Sequence, residues 1–321
     1  MKKFAMAAVA AAAMTVGVAQ AYTVGTFTNG FVVPNVIHNG PNDTTAVGII
    51  NQTPTASSVP VFWTFFNQDS GHVTDGCIPL TPKDYEPFVW SGQSGVGLEG
   101  ARGYLVFAAG LVVAPPATQG NACAAANSAN IDPAAMLSAN AFQVDLNNRD
   151  LAFVPVVDGP LTIASDLSVM GPADLTAVGG AFNIAAGAVP APGVPATTLS
   201  MRYFVDGAPG GNDTRVVVWS TGSHKGTHTV NMYDDKQNRK SVNFKLDHAE
   251  LDWFDPETIA GRPAGFVDGF IEWNPTAALP ADYAPAAGTG SIFADGASMF
   301  SYSLISAPAW GAVQSVLGAH N

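Results

Sequence analysis

Alternating segments and short apolar runs, rather than helical stripes, organise this chain. In residues 227–233 and 241–246 apolar and polar positions alternate, so that Val242, Phe244 and Leu246 share one face. That period of two is the mark of a half-buried strand. Residues 47–50, 62–66, 103–107 and 216–219 are short and rich in Val, Leu, Phe, Tyr and Trp, which suits pleated strands. Asn, Asp, Gly and Lys between such segments supply turns. Helical signal is sparse: Asp132 as cap, Pro133 in the first turn and apolar residues to Leu137 predict one short helix.

The same pattern occurs twice. Gly40-Pro41-Asn42-Asp43-Thr44-Thr45-Ala46-Val47 resembles Gly210-Gly211-Asn212-Asp213-Thr214-Arg215-Val216-Val217, with five identities at an offset of 170 residues. Residues 62–66 match 229–233 at an offset of 167, each followed by a polar turn, and 103–107 match 269–273 at an offset of 166. The offsets drift by only a few residues, whereas chance matches would scatter, so the chain reads as two copies of one unit. The expected fold is all-β: two tandem, internally duplicated β-sandwich domains of immunoglobulin-like or Greek-key character. The first domain is placed at 22–165 and the second at 199–321. Between them, 166–198 is a connecting segment that ends in an uncharged Pro/Ala/Gly linker with Pro190, Pro192 and Pro195.

Residues 1–21 read as a signal peptide of bacterial style. Lys2 and Lys3 lead an apolar run from Phe4 to Val18, and Ala19-Gln20-Ala21 supplies small residues at the cleavage positions. The run is short for a membrane span, and no later segment suits a transmembrane helix. The strand candidates fall in two blocks instead of recurring evenly, unlike an outer-membrane barrel. Export to the periplasm, cell surface or medium is therefore expected. In an oxidising compartment Cys77 and Cys123 are expected to form a disulfide.

Composition narrows the function. The chain carries 13 basic and 25 acidic residues, a net −12, and loss of residues 1–21 takes this to −14. So acidic a protein is no partner for nucleic acid. The 33 Gly and 23 Pro suit a turn-rich β protein. The chemical motifs are each weighed against a bland structural reading. His224 and His228 form an H-x-x-x-H metal pair, or else polar residues in a loop joining two strands. Asp43 and Asp213, in the repeated Asn-Asp-Thr, could bind calcium or close a turn through their own backbone. Asp145 and Asp150 offer oxygens, but Arg149 beside them repels a cation. Gly92-Gln93-Ser94-Gly95 lacks the spacing of a nucleophile elbow. Asp268 and Glu272 share a face, as a hydrolytic pair would, yet Glu272 matches Val106 in the first unit. Trp63, Trp90, Trp219, Trp253, Trp273 and Trp310 form either core or a glycan platform.

With no catalytic constellation found, the expectation is a non-enzymatic cell-surface or extracellular structural or adhesive protein, without a cofactor and capable of self-assembly. A glycan- or metal-binding module is the first alternative, and a secreted hydrolase the second.

Overall fold

The computed structural model describes residues 22–93, 98–113, 118–146, 150–187, 198–208 and 210–320. The protein is all-β and sandwich-like. In its first half the strands are β1 (Gly30–Ile37), β2 (Asp43–Asn51), β3 (Val59–Asn67), β4 (His72–Leu80), β5 (Tyr85–Val89), β6 (Arg102–Val112), β7 (Ala126–Ile131), β8 (Leu137–Asp145), β9 (Asp150–Val154) and β10 (Val157–Asp158). The short helix α1 (Ala122–Ala125) precedes β7. A hairpin of β11 (Leu161–Ile163) and β12 (Leu175–Val178) follows. Next come β13 (Phe182–Ile184), β14 (Leu199–Phe204), β15 (Asp213–Ser220), β16 (Gly226–Asp234), β17 (Arg239–Leu246), β18 (Leu251–Phe254), β19 (Asp268–Trp273), β20 (Ala297–Ala307), β21 (Ala312–Leu317) and β22 (Ala319–His320).

Four antiparallel sheets stack face to face. The first outer sheet runs β5-β2-β8-β9 and the first inner sheet β10-β1-β6-β3-β4. The second inner sheet runs β13-β20-β15-β18, with β21 also on β20, and the second outer sheet β17-β16-β19-β14-β22. The burial pattern explains the layering. β1 and residues 59–66 of β3 are buried at every position, because the first inner sheet is covered on both faces. Trp63 and Phe107 pack on Phe88 of the first outer sheet, at 5.3 and 5.2 Å between ring centroids. Tyr104, on the opposite face of β6, packs on Trp219 of the second inner sheet at 5.7 Å. β15 divides in the same way. Val217 and Trp219 join the first core, while Val216 and Val218 join the second. The outer strands β16 and β17 alternate buried and exposed residues, as their sequence predicts.

The two halves order their strands alike. β4-β3-β6-β1 has the same succession as β17-β16-β19-β14, and β5-β2-β8 the same as β18-β15-β20. Register agrees as well: Asn67 pairs with Gly103, and Asp234, 167 residues later, with Gly269. The Asn67 side-chain oxygen accepts from the amides of Asp69 and Gly71, and that of Asp234 from Lys236 and Asn238. Ser70 and Gln237, at matching positions in these turns, both take positive φ, 58° and 66°.

Gly103 and Gly269 also share a constraint. A Cβ on Gly103 would collide with the carbonyl oxygen of Phe66, and one on Gly269 with that of Tyr233. Gly103→Ala and Gly269→Ala are each expected to cost about 2 kcal/mol, the usual price of overpacking a closed site. Urea unfolding of the two variants checks this, and a midpoint unchanged in either one refutes the shared constraint.

Two expectations need correction or completion. Residues 132–136 form a turn, not a helix. The capping bond is present, from Ala134 N to Asp132 Oδ1 at 2.9 Å, but Leu137 is drawn into β8 opposite Asn51. The segment 166–198 is shared between the cores: Leu167, Met170, Leu175 and Val178 pack in the first, Phe182 and Ile184 in the second. The Pro-rich run 188–197 and residues 1–21 lie outside the described residues.

Cys77 of β4 and Cys123 of α1 form the expected disulfide. Among the described residues no helix is long and apolar enough to cross a membrane. Both facts are compatible with an exported protein.

Candidate functional site

The densest polar chemistry lies at the seam between the halves. The turn after β3 places Ser70, fully buried, against Tyr104 of β6 and Glu250, which immediately precedes β18. Ser70 Oγ lies 2.7 Å from Tyr104 Oη. Tyr104 donates to Glu250 Oε2 at 2.8 Å, and the Ser70 hydroxyl donates to the same oxygen. Three oxygens thus form a triangle with three edges. Two hydroxyls supply protons for only two of them. With both donating to Oε2 the Ser70–Tyr104 edge has none, and a proton on Oε2 closes the ring when it is donated to one hydroxyl and that hydroxyl turns to the other. Burial also disfavours the carboxylate and pushes the Glu250 pKa up to about 7, against the lowering effect of the two hydroxyl donors. Glu250 Oε1 is buried without a partner. The backbone around it is clamped too. Gln68 O accepts from the amides of Glu250 and Leu251, both at 3.1 Å, and Asp69 Oδ1 accepts from Ala249 N at 3.0 Å. Sequence reasoning missed this cluster, whose members lie up to 180 residues apart.

His224 and His228 are core residues. His228 is not in a loop: it belongs to β16 and continues inward the alternation of Val230 and Met232, 4.9 Å from the Trp273 ring. Its Nε2 donates to the His224 carbonyl at 2.7 Å. His224 Nδ1 pairs with Ser220 Oγ at 2.7 Å, and its Nε2 is buried without a partner. Burial, reinforced by His228 and His248, pushes the His224 pKa down to about 3. Burial lowers that of His228 as well. Both rings are therefore neutral packing groups at neutral pH. Among the described residues no group of three or more His, Cys, Asp or Glu side chains gathers as a metal site would require.

The carboxylates singled out in the sequence are dispersed. Asp43 opens β2 and takes the Asn39 amide at 2.8 Å, and Asp213 opens β15 with Arg215 Nε 3.7 Å away. Asp145 and Asp150 face each other across the ends of β8 and β9, while 147–149 lie outside the described residues, as do Ser94 and Gly95. Asp268 pairs with Arg202, and Glu272 accepts from Asn231 Nδ2 at 3.2 Å, both on the open face of the second outer sheet. Of the tryptophans, Trp63, Trp90, Trp219 and Trp273 are core and Trp310 is 83% exposed. Trp253 is half-buried beneath the guanidiniums of Arg102 and Arg215, at 4.4 and 4.7 Å from its centroid. It lines a cleft of about 580 Å³ with Asn243, Lys245, Asp252 and Asp255.

The outer faces of the stack contrast sharply. Outward positions of β14, β16, β17 and β19 carry Arg202, Arg239, Lys245, Asp268 and Glu272. Those of the first outer sheet carry no charge. Val89, Ala46, Phe142 and Phe153 form one row across its four strands, flanked by Tyr85, Pro87, Val144 and Leu151. Tyr85 is 62% exposed, Leu151 56% and Val89 42%.

No protein family and no curated protein matches the chain. A solved structure described as a lectin from Pleurotus ostreatus in complex with GalNAc aligns with 92% of this chain and 84% of that one, at 11% identity and a TM-score of 0.16. A similarity that small carries no argument about fold or ligand.

Proposed function

We propose that the chain is an exported, non-enzymatic structural or adhesive protein of the cell surface or extracellular space. In this reading it consists of two duplicated β-sandwich units fused into one rigid body, which acts by presenting a surface to a partner. Shared strand order, shared register, identical turn bonding and the paired Gly103 and Gly269 support the duplication. The observation that carries the function is the uncharged outer sheet. An acidic protein keeps such a face where it meets something, since large exposed apolar patches mark interaction sites. The titratable groups of the interior, Glu250 and His224, are closed off from solvent and hold the body together.

Fractionation of native cells followed by electron microscopy tests the reading. It expects the protein in the envelope or medium as part of a higher-mass assembly. Recovery wholly as a soluble periplasmic monomer overturns it. A second reading, a glycan-binding module, draws on the Trp253 cleft, where an aromatic ring stands beside amide and carboxylate side chains. Glycan binding lost in Trp253→Ala would favour it.

A further inference from the structure

We propose that the partner at the first outer sheet is a second copy of this chain, docked face to face about a two-fold axis. The inference rests on the interaction reading above and names the occupant.

Three observations point to a self-contact. First, a copy is as acidic as its mate, so most approaches bring carboxylates together. The four-strand face has no charged outward side chain and lets two acidic chains meet without burying a charge. Secondly, the face carries both a hole and a knob. Gly48, with no side chain, leaves a depression of about 240 Å³ walled by Pro87, Val89, Asn140 and Phe142, with Tyr85 lying across its floor. Leu151 and Phe153 stand exposed two strands away on β9. An isologous contact needs a patch complementary to itself, and a two-fold axis near β8 would place each copy's β9 side chains over the other's Gly48 depression. Thirdly, the size is that of a small interface. Two nine-residue strands about 30 Å long and two five-residue strands about 17 Å long, about 4.8 Å apart, span roughly 450 Å² in projection before side-chain relief is added. A standard interface takes about 800 Å² per partner.

Sedimentation velocity on the purified, exported chain tests this. The expected result is a dimer at micromolar concentration that is not weakened by raising sodium chloride, because no charge pair is involved. Val89→Arg and Phe153→Arg change exposed side chains on the face, and each is expected to weaken the dimer at least tenfold. Phe270→Arg, on the opposite outer face, is expected to leave it intact, and circular dichroism verifies that all three variants fold. A monomeric wild-type chain, a dimer dissolved by salt, or equal disruption by Phe270→Arg overturns the proposal. If the purified chain is monomeric while the native protein fractionates in a larger assembly, the self-contact fails and the interaction reading stands. If both are monomeric, both fail.

Discussion

Glu250→Gln is expected to gain about 3 kcal/mol of stability relative to the wild type as the pH rises from 4.5 to 7, with no further gain above. In the folded protein the Glu250 pKa is near 7, against an ordinary value of 4.5. Below 4.5 the side chain is protonated whether the chain is folded or not, and the buried carboxyl costs nothing extra. Between 4.5 and 7 the unfolded chain releases its proton and the folded one retains it. The stability contributed by the protonated triangle falls by about 1.4 kcal/mol per pH unit over that window. Above 7 both states are ionised and the loss is complete. Gln cannot ionise, and its amide oxygen can stand where Oε2 stands and accept from Ser70 and Tyr104, so the pH dependence of the difference between the two proteins isolates this group from the other carboxylates. Urea unfolding at pH 4, 6 and 8 measures it, and a difference that is flat with pH disproves the assignment. Tyr104→Phe removes one donor to the carboxylate and is expected to extend the window at its upper end, the lower end at 4.5 being set by the unfolded chain.

That triangle shows where the sequence stops speaking. Glu250 stands between His248 and Asp252 in a charged stretch with no local mark of burial. Its burial depends on a turn 180 residues earlier, and no local pattern encodes that meeting. The turn itself was legible, because its Asn67-to-Gly71 polar run recurs as 234–238. So were β16 and β17 of the second outer layer, since one wet face imposes alternation on the sequence. The inner sheets were legible only by halves. Unbroken apolar runs such as that at 61–63 reveal burial on two faces without saying what lies on the second, and Tyr104 meeting Trp219 is a fact of packing. Local signals also lost to pairing. Asp132 and Pro133 cap a turn as their chemistry dictates, but backbone hydrogen bonds with Thr28 and register with β2 take Leu137 into a strand. His224 and His228 have metal-pair spacing, yet Gly226 between them permits the φ of 132° at which the chain enters β16, and His228 turns inward as a packing residue. The uncharged outer face is written in alternate positions, Tyr85, Pro87 and Val89 on one strand and Leu151 and Phe153 on another, and emerges only when four strands line up in register.

Removal of the Cys77–Cys123 bridge is expected to cost about 4 kcal/mol. The bridge closes a loop with a sequence separation of 46, and in the chain-entropy model a loop of that size restricts the unfolded state by roughly that amount. Its position decides where the loss falls. Cys77 lies on β4, the edge of the first inner sheet, opposite Phe62, and Cys123 anchors the α1 segment against it. At the matching place in the second half Asn243 lies opposite Thr229 and accepts its hydroxyl at 2.9 Å, so that half has no covalent tie to lose. The halves nevertheless share one core, through Trp219, Phe300 and Tyr302, and are latched by Glu250. The Cys77→Ala/Cys123→Ala double variant is therefore expected to unfold in a single transition at a lower urea midpoint, because the second half cannot outlast the first without exposing those three rings. Wild type treated with reductant should behave in the same way. Two separated transitions, with the later one at the wild-type midpoint, would show that the seam does not couple the halves, and an unchanged midpoint would show that the bridge adds nothing to stability.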